Sequence, residues 1–177
     1  MSNHNLTFYI IIISSAFSNE YNSKKLSNHL FGFENFIDKS FEGEFYNSTK
    51  TNPLKDIIRF ERILNGEAIS ITHSVNHGEY GGRYIITWNS EKEKLESYYF
   101  STGGEIILSK VNILNNEIIL EEDFSNYKNG IKKVQKIFRI NESGKLENNI
   151  KYLMNSHWVN AHEINYDRND KAKIIFR

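Results

Sequence analysis

The sequence predicts a mainly β fold: a single antiparallel up-and-down barrel of about eight to ten strands, with one N-terminal helix covering an end. About ten short segments of alternating or apolar residues follow one another from Ser40 to the C-terminus. They are separated by turn-forming residues, chiefly Gly, Asn, Asp and Ser. A meander of this length tends to close on itself, because closure removes the exposed strand edges.

The composition limits the possible classes of function. The chain has 177 residues, 39% of them hydrophobic, which is enough for one domain with a sizeable core. The 22 Lys and Arg residues balance 22 Asp and Glu residues, which argues against nucleic acid or an anionic membrane as the main partner. The sequence contains no cysteine, so disulfides, thiolate nucleophiles and cysteine metal sites are excluded.

The first 18 residues differ from the rest of the chain. Residues 6–18, "LTFYIIIISSAFS", form an apolar run of the length of a signal-peptide core, too short to span a bilayer. The run ends in Ala16-Phe17-Ser18, a triplet that signal peptidase accepts. We expect residues 1–18 to be a signal peptide of an exported protein, periplasmic or secreted, and residues 19–177 to be the barrel domain. The alternative is a buried N-terminal strand in a cytoplasmic protein.

One helix is predicted before the strands. Leu26, Leu30, Phe33 and Ile37 recur at helical spacing, which places them on one stripe of a helix. Ser23 is a possible N-cap for it. Because an apolar stripe needs an apolar surface to cover, we expect this helix to lie over one end of the barrel.

The first predicted strand is "SFEGEFYN". After "DIIRFERIL", the pair Asn65-Gly66 predicts a two-residue hairpin. The basic strand "IKKVQKIFR" is expected to present a solvated outer face rather than a nucleic-acid site. The other predicted strands are "EAISITHSV", "GRYIITW", "LESYYFST", "EIILSKVNIL", "EIILEEDF", "KLENNIKYLM", "HWVNAHEINY" and "AKIIFR".

The stretch "HSVNHGEYGG", residues 73–82, raises the question of a metal site. Alternation places His73 on the same face as Ile69 and Ile71, so this histidine should point into the barrel. His77 lies beyond the strand, where a spacing of four residues does not bring two histidines together as it would on a helix. We therefore interpret the stretch as a tight turn and expect no metal site.

The strand before His73 turns a charge into the barrel whichever of its faces points inward. Arg59 and Glu61 lie on one face, and Arg62 lies on the other. A charge inside a barrel must be paired or solvated, so the strand indicates either a polar cavity or a structural ion pair. We predict Glu61 as the partner of His73.

Aromatic residues supply either a cavity wall or a filled core. Tyr84 and Trp88 share a face of one strand, and Tyr98 and Tyr99 lie on the next; an aromatic hydroxyl of this group is an alternative partner for His73. In "HWVNAHEINY", alternation places Trp158, Asn160, His162, Ile164 and Tyr166 on one face. The candidate ligand-binding residues are His73, Glu61, Arg59, Tyr84, Trp88, Tyr98 and His162.

Two features of the sequence resemble a known family. A helix, then "FEGEF", then an unbroken meander is similar to the calycin superfamily. The segment "RFERILNGEAISITHSVNHGEYGGRYIITWNSEKEKLESYYFSTGGE" looks like an uncharacterised bacterial lipocalin-like group. The resemblance implies a barrel that holds one small ligand, and it leaves open a haem-binding variant that uses a single histidine, here His73 or His162. Phe41 and Phe45 depart from the pattern, because they stand where Trp is usual.

We expect the protein to bind a small, partly apolar molecule inside the barrel, with no cofactor and no metal. Two alternatives stay open: an enzyme that uses Glu61 and His73 as an acid–base pair, and a filled barrel that acts as a structural or interaction module. The sequence carries no GxGxxG, P-loop, GxSxG or HExxH motif. The expected partner is a small molecule, without nucleic acid and without stable membrane insertion of the mature chain.

Overall fold

Ten antiparallel strands form a closed barrel in the computed structural model, which describes residues 25–123 and 130–177. Each strand pairs with the next along the chain, and the last pairs with the first. The prediction of a mainly β, up-and-down barrel is therefore confirmed. The strands are β1 (Lys39–Glu44), β2 (Lys55–Ile63), β3 (Ala68–Val75), β4 (Tyr80–Asn89), β5 (Lys94–Ser101), β6 (Ile106–Leu114), β7 (Glu117–Asp123), β8 (Ile131–Ile140), β9 (Leu146–Met154) and β10 (His157–Arg168).

The prediction of an N-terminal α-helix is wrong. Among the described residues, the segment before β1 contains only a short 3₁₀ helix, Asn28–Phe33, followed by turns. Gly32 lowers the helical propensity of this segment, and it approaches Ile113 so closely that a Cβ atom would collide with that side chain. The predicted N-cap Ser23 and the predicted signal peptide lie outside the described residues.

The apolar side chains of this segment nevertheless enter the barrel. Leu30 and Phe33 are 0% exposed, and the ring of Phe36 lies 5.3 Å from that of Phe60. We call the end of the barrel that residues 25–38 cover the packed end. Each large apolar side chain that is fully buried there contributes about 1.5–3 kcal/mol relative to exposure. The largest fully buried side chains are Leu30, Phe33, Phe36, Phe41, Phe60, Ile69, Ile71, Ile86, Ile118, Leu120, Phe138 and Tyr166.

The connection between β2 and β3 is longer than the predicted two-residue hairpin. It spans residues 64–67, and Leu64, Asn65 and Gly66 all have positive φ. A Cβ atom at Gly66 would collide with the Lys25 carbonyl, and the Gly66 carbonyl accepts a hydrogen bond from the Ser27 N–H at 3.0 Å. The N-terminal segment is thus tied to the packed end at a position that only glycine fits.

Strand β10 departs from simple alternation. A bulge lies between Asn160 and His162, because these two residues pair with the consecutive residues Lys151 and Ile150 of β9. The extra residue, Ala161, reverses the faces of the strand at that point. His162, Ile164 and Tyr166 face inward as predicted, whereas the face predicted for Trp158 and Asn160 is wrong.

The C-terminal residues lie on the outer wall instead of forming the last predicted strand, "AKIIFR". The Ser74 hydroxyl donates a hydrogen bond of 2.6 Å to the Ile175 carbonyl, and the Asn169 N–H donates one of 2.8 Å to the Ser40 carbonyl. In the part of the chain that the structure describes, no helix has the length and apolar character needed to cross a membrane.

Candidate functional site

A cavity of about 440 Å³ occupies the barrel interior at the end opposite residues 25–38. It lies inside the strand ends that the connections 76–79 and 102–105 join, and we call this end the cavity end. Its lining includes the exposed residues Tyr80 and Glu105, so the cavity reaches the protein surface. Its volume lies in the range of small-molecule sites, roughly 300–1,000 Å³.

His73 lies in the wall of this cavity, in phase with Ile69 and Ile71 of the core. Its Nδ1 atom is 3.3 Å from Oδ1 of Asp56, and its Nε2 atom is 2.9 Å from the Tyr99 hydroxyl. An ionised carboxylate can only accept hydrogen bonds, so we assign the proton of the neutral imidazole to Nδ1. In that tautomer Nε2 accepts a hydrogen bond from Tyr99.

Asp56 collects hydrogen bonds from two directions. The Tyr166 hydroxyl donates to its Oδ2 atom at 2.9 Å. On the other side, Nδ1 of His73 donates to its Oδ1 atom. His73 is held in turn by the Tyr99 hydroxyl, which lies 3.2 Å from the Tyr80 hydroxyl. Asp56 is only 4% exposed, and a buried carboxylate of this kind needs such donors.

Two glycines make these tyrosine contacts possible. Gly82 pairs with His73, and a Cβ atom at Gly82 would stand 2.5 Å from the Tyr99 ring, which lies across this position. Gly43 pairs with both Asp56 and Tyr166, and a Cβ atom there would stand 2.8 Å from the Tyr166 ring. In each case the missing side chain lets a tyrosine cross one strand and reach a polar group on the next.

A second polar group surrounds Lys136, which points into the barrel from β8. Its ammonium donates hydrogen bonds to Glu122 at 2.7 Å and to the Tyr84 hydroxyl at 3.1 Å. Burial opposes the charged form of the amine, but Tyr84 and Glu122 outweigh this effect and raise the pKa of Lys136 above its usual value. Lys136 is therefore a charged, paired residue at neutral pH and does not act as a free amine nucleophile.

The tyrosine hydroxyls of the site remain protonated at neutral pH. Burial is the main cause that raises the pKa of Tyr84, Tyr99 and Tyr166 above the ordinary value. His162, which also lines the cavity, has its pKa lowered by burial and by the charge of Lys136. These shifts favour neutral hydrogen-bonding groups around one paired ammonium.

Of the two predicted kinds of partner for His73, the aromatic hydroxyl is confirmed at Tyr99, whereas Glu61 is wrong. On β2 the inward residues are Asp56, Ile58 and Phe60, so Glu61 lies on the opposite, outer face of the strand. There it accepts a hydrogen bond of 2.9 Å from Arg59. Neither Arg59 nor Glu61 lines the cavity, and the carboxylate that reaches His73 is Asp56 instead.

The other predicted site residues divide between the two ends and the outer wall. Tyr84 and His162 line the cavity. Trp88 lies at the packed end, where its ring stacks on His29 at 3.7 Å, so it does not line this cavity. Tyr98 faces outward and donates a hydrogen bond to Glu96 at 3.2 Å, so its placement in the cavity is also wrong. Its neighbour Tyr99 takes the interior position.

Sequence reasoning missed Asp56, Glu122, Lys136 and Asn148, which all line the cavity. The expectation of a solvated outer face for the basic strand is wrong for Lys136. This residue alternates in phase with Val134 and Phe138, two buried residues, and that phase was the available signal. Asp56 likewise precedes Ile58 and Phe60 at a spacing of two.

The described residues contain no group of three or more His, Asp and Glu side chains that could hold a metal ion. His77 lies in the exposed turn between β3 and β4. Both ring nitrogens of His73 already have partners, so a haem iron would find no free ligand there. The haem alternative would therefore depend on His162.

Compared with known proteins, the sequence matches no protein-family model and has no significant match among curated proteins.

Proposed function

We propose that the protein binds a small, partly apolar molecule in the cavity, as a calycin-like binding barrel. The observation that carries this proposal is the cavity of about 440 Å³ within a barrel whose other end is filled by the core. Small barrels either fill their interior with side chains or hold one small ligand. The volume left at the cavity end favours the second case over the alternative of a filled structural module.

The enzyme alternative has weaker support. It requires Glu61 beside His73, and Glu61 lies on the outer wall. Asp56 does contact His73, but it is already bonded to Tyr166, and the second nitrogen of His73 is bonded to Tyr99. A general base needs a nitrogen or an oxygen directed at its substrate, whereas these groups hold one another in place.

The composition of the cavity wall supports a ligand that is mostly apolar. Ile107, Val134, Ile150 and Phe138 contribute hydrocarbon surface, while the polar groups converge in the His73 and Lys136 clusters. Small-molecule sites commonly combine an apolar wall with a few placed polar groups that fix orientation. The proposal also includes membership of the calycin superfamily and export of the protein.

The test is the binding of N-phenyl-1-naphthylamine, an apolar dye whose fluorescence rises in an apolar cavity, to the purified protein. Ile107 lines the cavity, whereas its neighbour Ile106 is 73% exposed on the outer wall. We expect Ile107→Trp to fill the cavity and abolish dye binding, and the matched control Ile106→Trp to retain it. Absence of dye binding to the wild-type protein, or equal binding to Ile107→Trp, would overturn the proposal.

A further inference from the structure

Asn148 is a buried polar residue of the cavity with an unused acceptor. It points inward from β9, is 8% exposed and lines the cavity. Its Oδ1 atom has no hydrogen-bond partner within residues 25–123 and 130–177. Buried polar groups are rarely left unpaired, so this oxygen favours a bound group that donates a hydrogen bond.

The nearby phenol of Tyr166 does not use this oxygen. The Tyr166 hydroxyl donates its hydrogen bond to Oδ2 of Asp56 at 2.9 Å. Oδ1 of Asn148 therefore remains available to a ligand.

The charges lining the cavity favour a cation. Three carboxylates, those of Asp56, Glu105 and Glu122, face one ammonium, that of Lys136. The ammonium of Lys136 forms an ion pair with Glu122 at 2.7 Å. Its positive charge is therefore balanced by Glu122 and does not neutralise the charges of Asp56 and Glu105. His162 does not add a positive charge at neutral pH, because burial lowers its pKa. The negative charge of the cavity lining would repel a carboxylate ligand, whereas it would attract a protonated amine.

The aromatic wall suits both parts of such a ligand. Tyr80, Tyr84 and Phe138 line the cavity and offer flat apolar surfaces to a ring or a chain. Aromatic faces also attract cations, and Lys136 already lies 5.4 Å from the centre of the Tyr84 ring.

We propose, on the basis of the binding function proposed above, that the ligand is an apolar molecule with a protonated primary or secondary amine. The amine donates a hydrogen bond to Oδ1 of Asn148, and its charge is stabilised by Asp56 and Glu105.

The test compares three indole compounds that share one skeleton and differ in head group. Tryptamine carries an ammonium, tryptophol a hydroxyl and indole-3-acetate a carboxylate. Calorimetric titration of the full chain at neutral pH should give the tightest binding for tryptamine, by about tenfold over tryptophol, because hydrogen bonds of charged groups are the stronger ones. Indole-3-acetate should bind more weakly than tryptophol. Tightest binding of tryptophol or of indole-3-acetate would overturn the inference.

Variants on β9 then locate the head group. Asn148→Leu should lower the affinity for tryptamine about tenfold and reduce the preference for tryptamine over tryptophol. Asn149→Leu, at the neighbouring outward position, is the matched control and should change neither. Equal tryptamine affinity in wild type and a dye-binding Asn148→Leu variant would overturn the assignment of Asn148. If Asn148→Leu does not fold, the ranking of the three compounds on the wild-type protein still decides the amine preference.

The two proposals fail in different ways. If the dye fails to bind to the wild-type protein, the proposed function is wrong, and the amine inference that rests on it is wrong as well. If the dye binds but tryptamine is not preferred, the protein binds small molecules and only the amine inference is wrong.

Discussion

The two ends of the barrel are built by the same strands with different side chains. At the packed end, β2, β3 and β4 point Phe60, Ile69 and Ile86 inward, and all three are 0% exposed. At the cavity end, the inward positions of β2 and β3 hold Asp56 and His73, which bond to each other and to tyrosines. A single strand therefore serves core stability over half of its length and a polar site over the other half.

The two ends also differ in the property that limits which side chains they can accept. Close packing limits the packed end, where residues 25–38 fill the barrel and a change of volume has nowhere to relax. Hydrogen-bond geometry limits the cavity end, where Gly43 and Gly82 leave room for two tyrosines to reach the site. Substitutions should accordingly reduce stability by cavity creation at the packed end and by orphaned polar groups at the cavity end.

The largest expected effect is at the cavity end, at Lys136. Lys136→Met leaves Glu122, which is 2% exposed, without its ammonium partner. Removing one member of a buried ion pair costs about 3–5 kcal/mol of unfolding free energy. Urea denaturation measures the loss. The double variant Lys136→Met with Glu122→Leu should recover most of it, and no recovery would show that the pair is not the cause.

Two isoleucines compare the ends directly. Ile86→Ala at the packed end should cost about 2–5 kcal/mol, because it leaves a cavity in a filled core. Ile107→Ala at the cavity end should cost only about 1 kcal/mol, because this partly exposed side chain already borders empty space. Thermal and urea unfolding of both variants check the ratio, and equal losses would contradict the distinction between the two ends.

Removal of the His73 side chain should have a smaller effect, through its partners. His73→Ala leaves Asp56 and Tyr99 each short of a hydrogen bond, which costs on the order of 1–3 kcal/mol. A solely ligand-directed histidine would instead leave the melting temperature of the ligand-free protein unchanged. Calorimetric melting of ligand-free His73→Ala, with the exposed His77→Ala as the control, separates these outcomes.

The smallest effect is a dependence of stability on pH that comes from His162. Its pKa in the folded protein lies below that of the unfolded chain, near 6.5, because burial and Lys136 disfavour the protonated ring. The unfolded state then binds the proton more readily, so stability falls as the pH drops below about 6.5 and levels off below the folded pKa. His162→Gln should flatten this part of the profile, and His157→Gln, at the exposed start of the same strand, should not. An unchanged profile in His162→Gln would contradict the assignment.

Most of the barrel could be predicted from alternation and turn residues, because both depend on local sequence. Strand β3 is the clearest case, since only one of its faces carries Ile69, Ile71 and His73 together. Strand β2 has apolar and charged residues on both faces, so its orientation is set by pairing with its neighbours. For this reason the prediction that Glu61 faces the barrel interior is wrong. The contact of Tyr99 with His73 depends on a side chain that crosses an intervening strand, which no local pattern reports.

The bulge and the N-terminal segment show a second limit. Ala161 is an ordinary strand residue, and the reversal that it causes follows from the register of β9 and β10 rather than from its own identity. In residues 25–38 the apolar spacing is sufficient to predict burial, but the helix that forms is a short 3₁₀ helix with Gly32, a poor helix former, inside it. Apolar spacing therefore predicts which side chains are buried here without predicting the backbone conformation.

The separation of a packed end from a ligand-accessible cavity end can be tested in one measurement. The protein is labelled at its isoleucine methyl groups and titrated with N-phenyl-1-naphthylamine in an NMR experiment. We predict chemical-shift changes for Ile107 and Ile150, which line the cavity, and none for Ile69 and Ile118, which are fully buried at the packed end. Equal shifts at both ends, or shifts confined to Ile106 on the outer wall, would contradict the account.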